Sequence, residues 1–152
     1  MSGGGENPTA AERQKVVVGV DGSESSLRAL RWAARHADRV GAPLEVVTAW
    51  TFPEHPAPLD VPIQLQNLDD LMDEARAKLD EIVADAVPPG QRGSVSTRVI
   101  RGNAGQVLLA EAESASLLVV GTRGRGEMER LVLGSVSDRC VRHSSVPVTV
   151  VP

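Results

Sequence analysis

Five short apolar runs recur along the chain, each separated from the next by a stretch with helical periodicity or turn residues. Val16–Val20 reads VVVGV, a β-branched run of the kind buried on both faces of a sheet. A polar DGSESS follows. Leu27, Leu30, Ala34 and Ala37 then share one helical face, and Gly41 stands where a helix stop belongs. LEVVTAW (Leu44–Trp50) is the second predicted strand, and Pro53, Pro56, Pro58 and Pro62 mark an irregular connection after it. From Gln64 to Ala86 the inward positions Leu65, Leu68, Met72, Ala75, Leu79 and Ile82 predict a longer helix, which VPPGQRG breaks. SVSTRVI (Ser94–Ile100) alternates as a third strand. A helix runs through Val107, Leu108, Glu111 and Ala115, and LLVVG is the fourth strand. A short helix, about Ser135 to His143, precedes the fifth strand, VPVTVV (Val146–Val151).

The alternation of strand and helix implies an α/β domain. Its core is an open, mostly parallel five-stranded sheet with helices on both faces and right-handed crossovers. A length of 152 residues suits one domain. Residues 1–14, MSGGGENPTAAERQ, read as a flexible tail, and residues 15–152 as the domain.

Composition narrows the functional classes. Aromatic residues make up only 2% of the chain, so the core must be built from Val, Leu, Ile and Ala. A net charge of −4, with Lys15 and Lys78 the two lysines, argues against nucleic acid as partner. No apolar run approaches membrane-spanning length, which argues against a membrane role. The N-terminus lacks the apolar core of a signal peptide, and Cys140 has no second cysteine to pair with. The expected location is the cytoplasm. His36, His55 and His143 are scattered and are not at metal-ligand spacing. Cys140 reads as a small buried hydrophobe.

Charge is uneven. From Glu54 to Asp85 there are nine acidic and two basic residues, the pattern of a solvated helix face. From Arg98 to His143 seven arginines face five acids, and that half holds GTRGRGEMERLVLGSV, Gly121 to Val136. Doubly wound sheets bind ligands beyond the carboxyl ends of their strands, where strand order reverses. Asp21-Gly22-Ser23 follows strand one and Gly121-Thr122-Arg123-Gly124 follows strand four. If these strands are neighbours, both loops line one crevice. Gly134 and Ser135 then open the last helix, whose N-terminus favours anions. Glycines let backbone N–H groups close around phosphate oxygens, Ser135 adds a hydroxyl, and Arg123 or Arg125 adds charge. Plainer roles stay open for each residue alone: turn glycines at Gly121 and Gly134, a helix cap at Ser135, and a cap or Asx turn at Asp21. The P-loop pattern is absent, and Glu129 stands where a dinucleotide fingerprint needs its third glycine.

Gly121-x-x-Gly124, nine residues, then Gly134-Ser135 resembles the G-2x-G-9x-G-[ST] spacing of the ATP-binding universal stress proteins. VVVGVDGSESSLRALRWA, LLVVGTRGRG, LVLGSVS and VPVTVV extend the resemblance from about Lys15 to Val151. It implies a Rossmann-like sheet of order 3-2-1-4-5, akin to the adenine-nucleotide hydrolases, and ATP, with Mg²⁺, in the crevice. Val18, Gly19, Val20 and Asp21 would flank the adenosine, with Asp21 near the ribose or a metal-bound phosphate. Val47, Thr48 and Ala49 would line the adenine side, and Gly102 would border the pocket. Gly121, Gly124, Gly134, Ser135, Val136 and Ser137 would hold the phosphates, with Arg123 as an extra contact. Asn103-Ala104 departs from the proline common after Gly102 in the family, and Glu127 and Glu129 make the nine-residue spacer unusually acidic.

Three functions compete. The first is a nucleotide-dependent regulator without catalytic residues, read by a regulatory protein partner and paired as a homodimer through Val148–Val151. The second is a slow ATPase or adenylating enzyme of related architecture. Such enzymes carry S-G-G-x-D-S after strand one, where this chain has V-D-G-S-E-S. The third is a nucleotide-free scaffold in which the glycines only shape turns. The complete glycine spacing favours the first.

Overall fold

β1 (Val16–Gly19) is apolar on both faces because it runs through the centre of the sheet. The computed structural model describes residues 14–51, 68–122 and 133–152. Five strands pair in the order β3-β2-β1-β4-β5, every pairing parallel, as the sequence pattern and the family resemblance together led us to expect. β2 spans Leu44–Trp50, β3 Val95–Arg101, β4 Leu117–Gly121 and β5 Val148–Val151. Strand ends differ from the sequence expectation by one or two residues. Val20 leaves the first strand, although its N–H still donates to the Val47 carbonyl at 2.9 Å.

The period-2 alternation of each strand sorts the core into two layers. Val16, Val18, Val20, Leu44, Val46 and Val119 pack under α1 (Glu24–Val40) and α2 (Leu68–Ala86). Val17, Val47, Leu118 and Val120 pack under α3 (Ala104–Ala112) and α4 (Ser135–His143), with Cys140 of α4 buried among them. The buried stripe of α1 is Ala29, Leu30, Ala33, Ala34 and Ala37, with Leu27 only half-buried. Small residues let this helix sit close to the valine-rich strands. Ser23 caps its start, accepting the Ser26 N–H at 3.2 Å. Gly41 ends it at φ +67°, its N–H turned back to Ala37 and Asp38. In α2 the fully buried positions are Leu79, Val83 and Ala86, while Leu68, Met72, Ala75 and Ile82 are half-buried. Leu65 lies outside the described residues. α3 ends at Ala112, so Ala115 reaches the core from the following turn. Trp32 stacks on His36, ring centroids 5.0 Å apart, which gives both a packing role on the α1 surface.

At the amino end of the strands a polar cluster crosses the second layer. Glu45 on β2 is only 8% exposed. Its carboxylate accepts Lys15 Nζ at 2.8 Å and Arg98 Nη1 at 3.3 Å. Arg98 also donates to Glu111 of α3 at 2.6 Å. Burial alone would raise the Glu45 carboxyl. Hydrogen bonds with Lys15 and Glu111, and the charges of Lys15 and Arg98, outweigh it and hold this carboxyl below the usual range. Burial, then the hydrogen bond to Glu45, push Glu111 up against the pull of Arg98.

The two shifts have opposite linkage. Glu45, depressed in the fold, contributes stability above its unfolded value and loses it as pH falls through its folded value. Glu111, raised in the fold, contributes stability below its unfolded value and loses it as pH rises through its folded value. The cluster therefore stabilises the fold most near the ordinary glutamate value, about 4.3. We predict that Glu111→Gln flattens the alkaline side of that profile and Glu45→Gln its acid side, read as urea midpoints from pH 3 to 8. Parallel profiles for wild type and both variants would refute the opposite shifts of Glu45 and Glu111.

Candidate functional site

β1 is hydrogen-bonded to β2 on one side and to β4 on the other, so the chain leaves its carboxyl end toward one face and leaves β4 toward the other. Between the two departures lies an open cleft. Gly19, Val20 and Asp21 form its floor, with Val47 and Ala49 of β2 to one side and Val120 and Gly121 of β4 to the other. Ser26 of α1, Ala104 and Leu108 of α3, and Val136 and Ser137 of α4 complete the wall. The first turns of three helices thus converge on a cleft with an apolar side. Exposed N–H groups at a helix start favour an anion, and Val47, Ala49 and Leu108 favour a flat apolar group.

Most residues singled out in the sequence meet here. Gly19, Val20, Asp21, Val47, Ala49, Gly121, Val136 and Ser137 all line the cleft. Val18 points its side chain into the core on the opposite face. Thr48 also faces that side, and its Oγ1 donates to the Val20 carbonyl at 2.8 Å, steadying the floor. Gly102 is not among the lining residues; it takes φ +147° and donates its N–H to the Trp50 carbonyl. Gly134 is the buried N-cap of α4, which no side chain caps, and Ser135 opens the helix exposed to solvent. Arg123 and Gly124 lie outside the described residues, as do Glu127 and Glu129.

Asp21 accepts the Ser23 N–H at 2.9 Å in an Asx turn that Gly22 allows by taking φ +85°. Sequence reasoning missed Ser26, Leu108 and Val120. Asn103 shapes the neighbouring wall. Its Oδ1 accepts the Gln106 N–H at 3.2 Å and caps α3, so that Ala104 enters the wall.

Gly121 has a cause that its motif does not reveal. A Cβ there would collide with Ser25 Oγ and lie 2.8 Å from the Ser25 carbonyl carbon. The first turn of α1 rests directly on the β4 end, so glycine makes room for the protein itself. Cys140 is fully buried in the second layer, and burial pushes its thiol up to about 11, the mark of an inert packing residue. Among the described residues no three His, Cys, Asp or Glu side chains are placed to hold a metal ion. No helix of the described residues is long and apolar enough to cross a membrane.

The family model of the universal stress proteins matches residues 12–152. The chain belongs to the universal stress protein family. A universal stress protein of Mycolicibacterium smegmatis is 32% identical over 149 residues, covering 93% of this chain and 49% of its own. Universal stress protein Rv2624c of Mycobacterium tuberculosis is 30% identical over 150 residues, covering 99% and 51%. The chain thus spans about half the length of the curated relatives it matches. Among solved structures, a universal stress protein in complex with cAMP is 31% identical, with a TM-score of 0.61, over 91% of this chain and 95% of that one.

The close approach at Gly121 yields a ligand-free test. Gly121→Ala should destabilise the universal stress protein domain by about 2 kcal/mol, because the α1 turn must back away. Thermal unfolding without nucleotide should show a Tm lower by about 4–8 °C. An unchanged Tm would mean that the Ser25 contact is loose and that Gly121 serves a ligand alone.

Proposed function

We propose that this chain is an adenine-nucleotide-binding regulatory domain that takes ATP with Mg²⁺ and works as a homodimer. The observation that carries the reading is the cleft at the β1/β4 reversal, where an apolar side faces the N-terminus of α4, which starts at Gly134 without a capping side chain of its own. The cAMP complex of a relative 31% identical supports an adenine nucleotide as the class of ligand. Val47, Ala49 and Leu108 suit the base, and the floor at Gly19 and Val20 suits the nucleoside. Asp21 stands beside the ribose or a metal-bound phosphate. The Ser135 hydroxyl and the first-turn amides of α4 face the phosphates, with Gly124 and Arg123 completing that side. Mg²⁺ would neutralise phosphate charge when bound. Among the described lining residues no nucleophile–base pair stands, which favours a domain that binds and signals over one that turns over. A regulatory protein partner would read the nucleotide state in the cytoplasm.

β5 supports the dimer. Among the described residues it pairs with β4 alone, and its four residues are half-buried valines and a threonine. An apolar edge with unpaired backbone groups suits a second copy of the same strand.

Thermal unfolding with millimolar ATP and Mg²⁺, beside GTP, tests the site. ATP at a hundred times Kd stabilises by about 2.7 kcal/mol, so Tm should rise by several degrees with ATP and stay put with GTP. Gly124→Val and Ser135→Ala should each weaken ATP. If neither does, the phosphate assignment falls; if no nucleotide shifts Tm and denatured protein releases none, the scaffold reading replaces it. Light scattering at micromolar concentration should give twice the chain mass, and a monomer would refute the β5 pairing.

A further inference from the structure

The carbonyl of Thr122 accepts two hydrogen bonds from the start of α4: Gly134 N–H at 2.6 Å and Ser137 Oγ at 2.9 Å. Ser137 Oγ also lies 3.1 Å from the Gly134 carbonyl, and the residue is 2% exposed. A serine hydroxyl has one hydrogen. Here it is shared between two backbone carbonyls, and the lone pairs that remain would meet a phosphate oxygen acceptor to acceptor. The Ser137 hydroxyl is therefore built into the protein.

Thr122 is itself fastened on two other sides. Its N–H donates to the Val151 carbonyl of β5 at 3.0 Å. Its Oγ1 lies 3.3 Å from Ser25 Oγ, which in turn reaches the Val151 carbonyl at 3.4 Å. The sheet, the first turn of α1 and the first turn of α4 thus meet at one residue. The first intrahelical bond of α4 runs from Asp138 N–H to the Gly134 carbonyl, 2.9 Å, so the amides before it have no acceptor within the helix. Their direction is set by wherever Gly134 and Ser137 are held.

We propose that Ser137 is a positioning residue: through the Thr122 carbonyl it aims the first-turn amides of α4 into the cleft, and its hydroxyl does not touch the phosphates. This rests on the phosphate side assigned above and revises one member of it. A preset anion site costs less ordering on binding than one assembled around the ligand.

The test begins without nucleotide. Amide exchange at Gly134, followed by NMR, should quicken about three- to tenfold in Ser137→Ala, the worth of one hydrogen bond, and return to wild type in Ser137→Thr. Calorimetry should show ATP affinity falling by a similar factor in Ser137→Ala, with adenosine affinity unmoved and the threonine variant rescued. If the alanine variant does not fold, Ser137→Cys, a weak donor of similar size, takes its place. Weaker ATP binding with wild-type exchange at Gly134 would make Ser137 a direct ligand and overturn the proposal. Faster exchange with ATP affinity unmoved overturns it as well. If the wild type binds no ATP, the phosphate reading fails, and with it this role for Ser137. The exchange rates then still report whether the Thr122 tie exists.

Discussion

Val16, Val17 and Val18 pair in parallel with Leu117, Leu118 and Val119, and the rest of the molecule depends on that ladder. Parallel neighbours need crossover connections, and right-handed crossovers on the two sides of β1 carry helices to opposite faces. α1 and α2 therefore cover one face, α3 and α4 the other. A gap must open above the reversal, because the chain ends of β1 and β4 diverge there. The cleft is thus a consequence of topology, and only its lining is a matter of residue choice.

That lining is held from behind. The Asx turn at Asp21, the Ser23 cap and the Ser25 contact fix α1 against the end of β4. Thr122 joins β5 to the start of α4. Short hydroxyl side chains do most of this, since they satisfy turn and cap backbone groups without filling the cleft. Glycine has two uses along the same short stretch. Gly22 supplies a backbone conformation, and Gly121 supplies space for a neighbouring turn.

The opposite end of the strands is built differently. Lys15, Glu45, Arg98 and Glu111 tie β1, β2, β3 and α3 together through charge-assisted hydrogen bonds. Two cations and two carboxylates balance, so the cluster clamps the domain without leaving a net charge buried. The polar cluster lies at the amino ends of the strands and the cleft at their carboxyl ends, and α3 spans both, with Glu111 in the cluster and Ala104 in the cleft.

Strands and helices were legible in the chain because their signals are local. Val16–Val18 and Leu117–Val120 are apolar on both faces, and Gly41 marks a helix end by its own chemistry. The site was legible in part. The glycine spacing and the DGS turn sit at strand ends, and the topology brings Asp21, Gly121, Val136 and Ser137 to one cleft. Ser26, Leu108 and Val120 were not legible, because helical or strand periodicity alone assigns such residues to core or cap. Nor could spacing tell Val18 from Gly19, since one residue of register moves a side chain to the other face. By itself the sequence determined the element order, the apolar faces and the helix stop at Gly41, all set by neighbours within a few residues. Only the tertiary structure decided that Gly121 yields to Ser25 and that the Ser137 hydroxyl belongs to Thr122. Those contacts join segments far apart in the chain, and steric and hydrogen-bond constraints act on atoms that folding alone brings within reach.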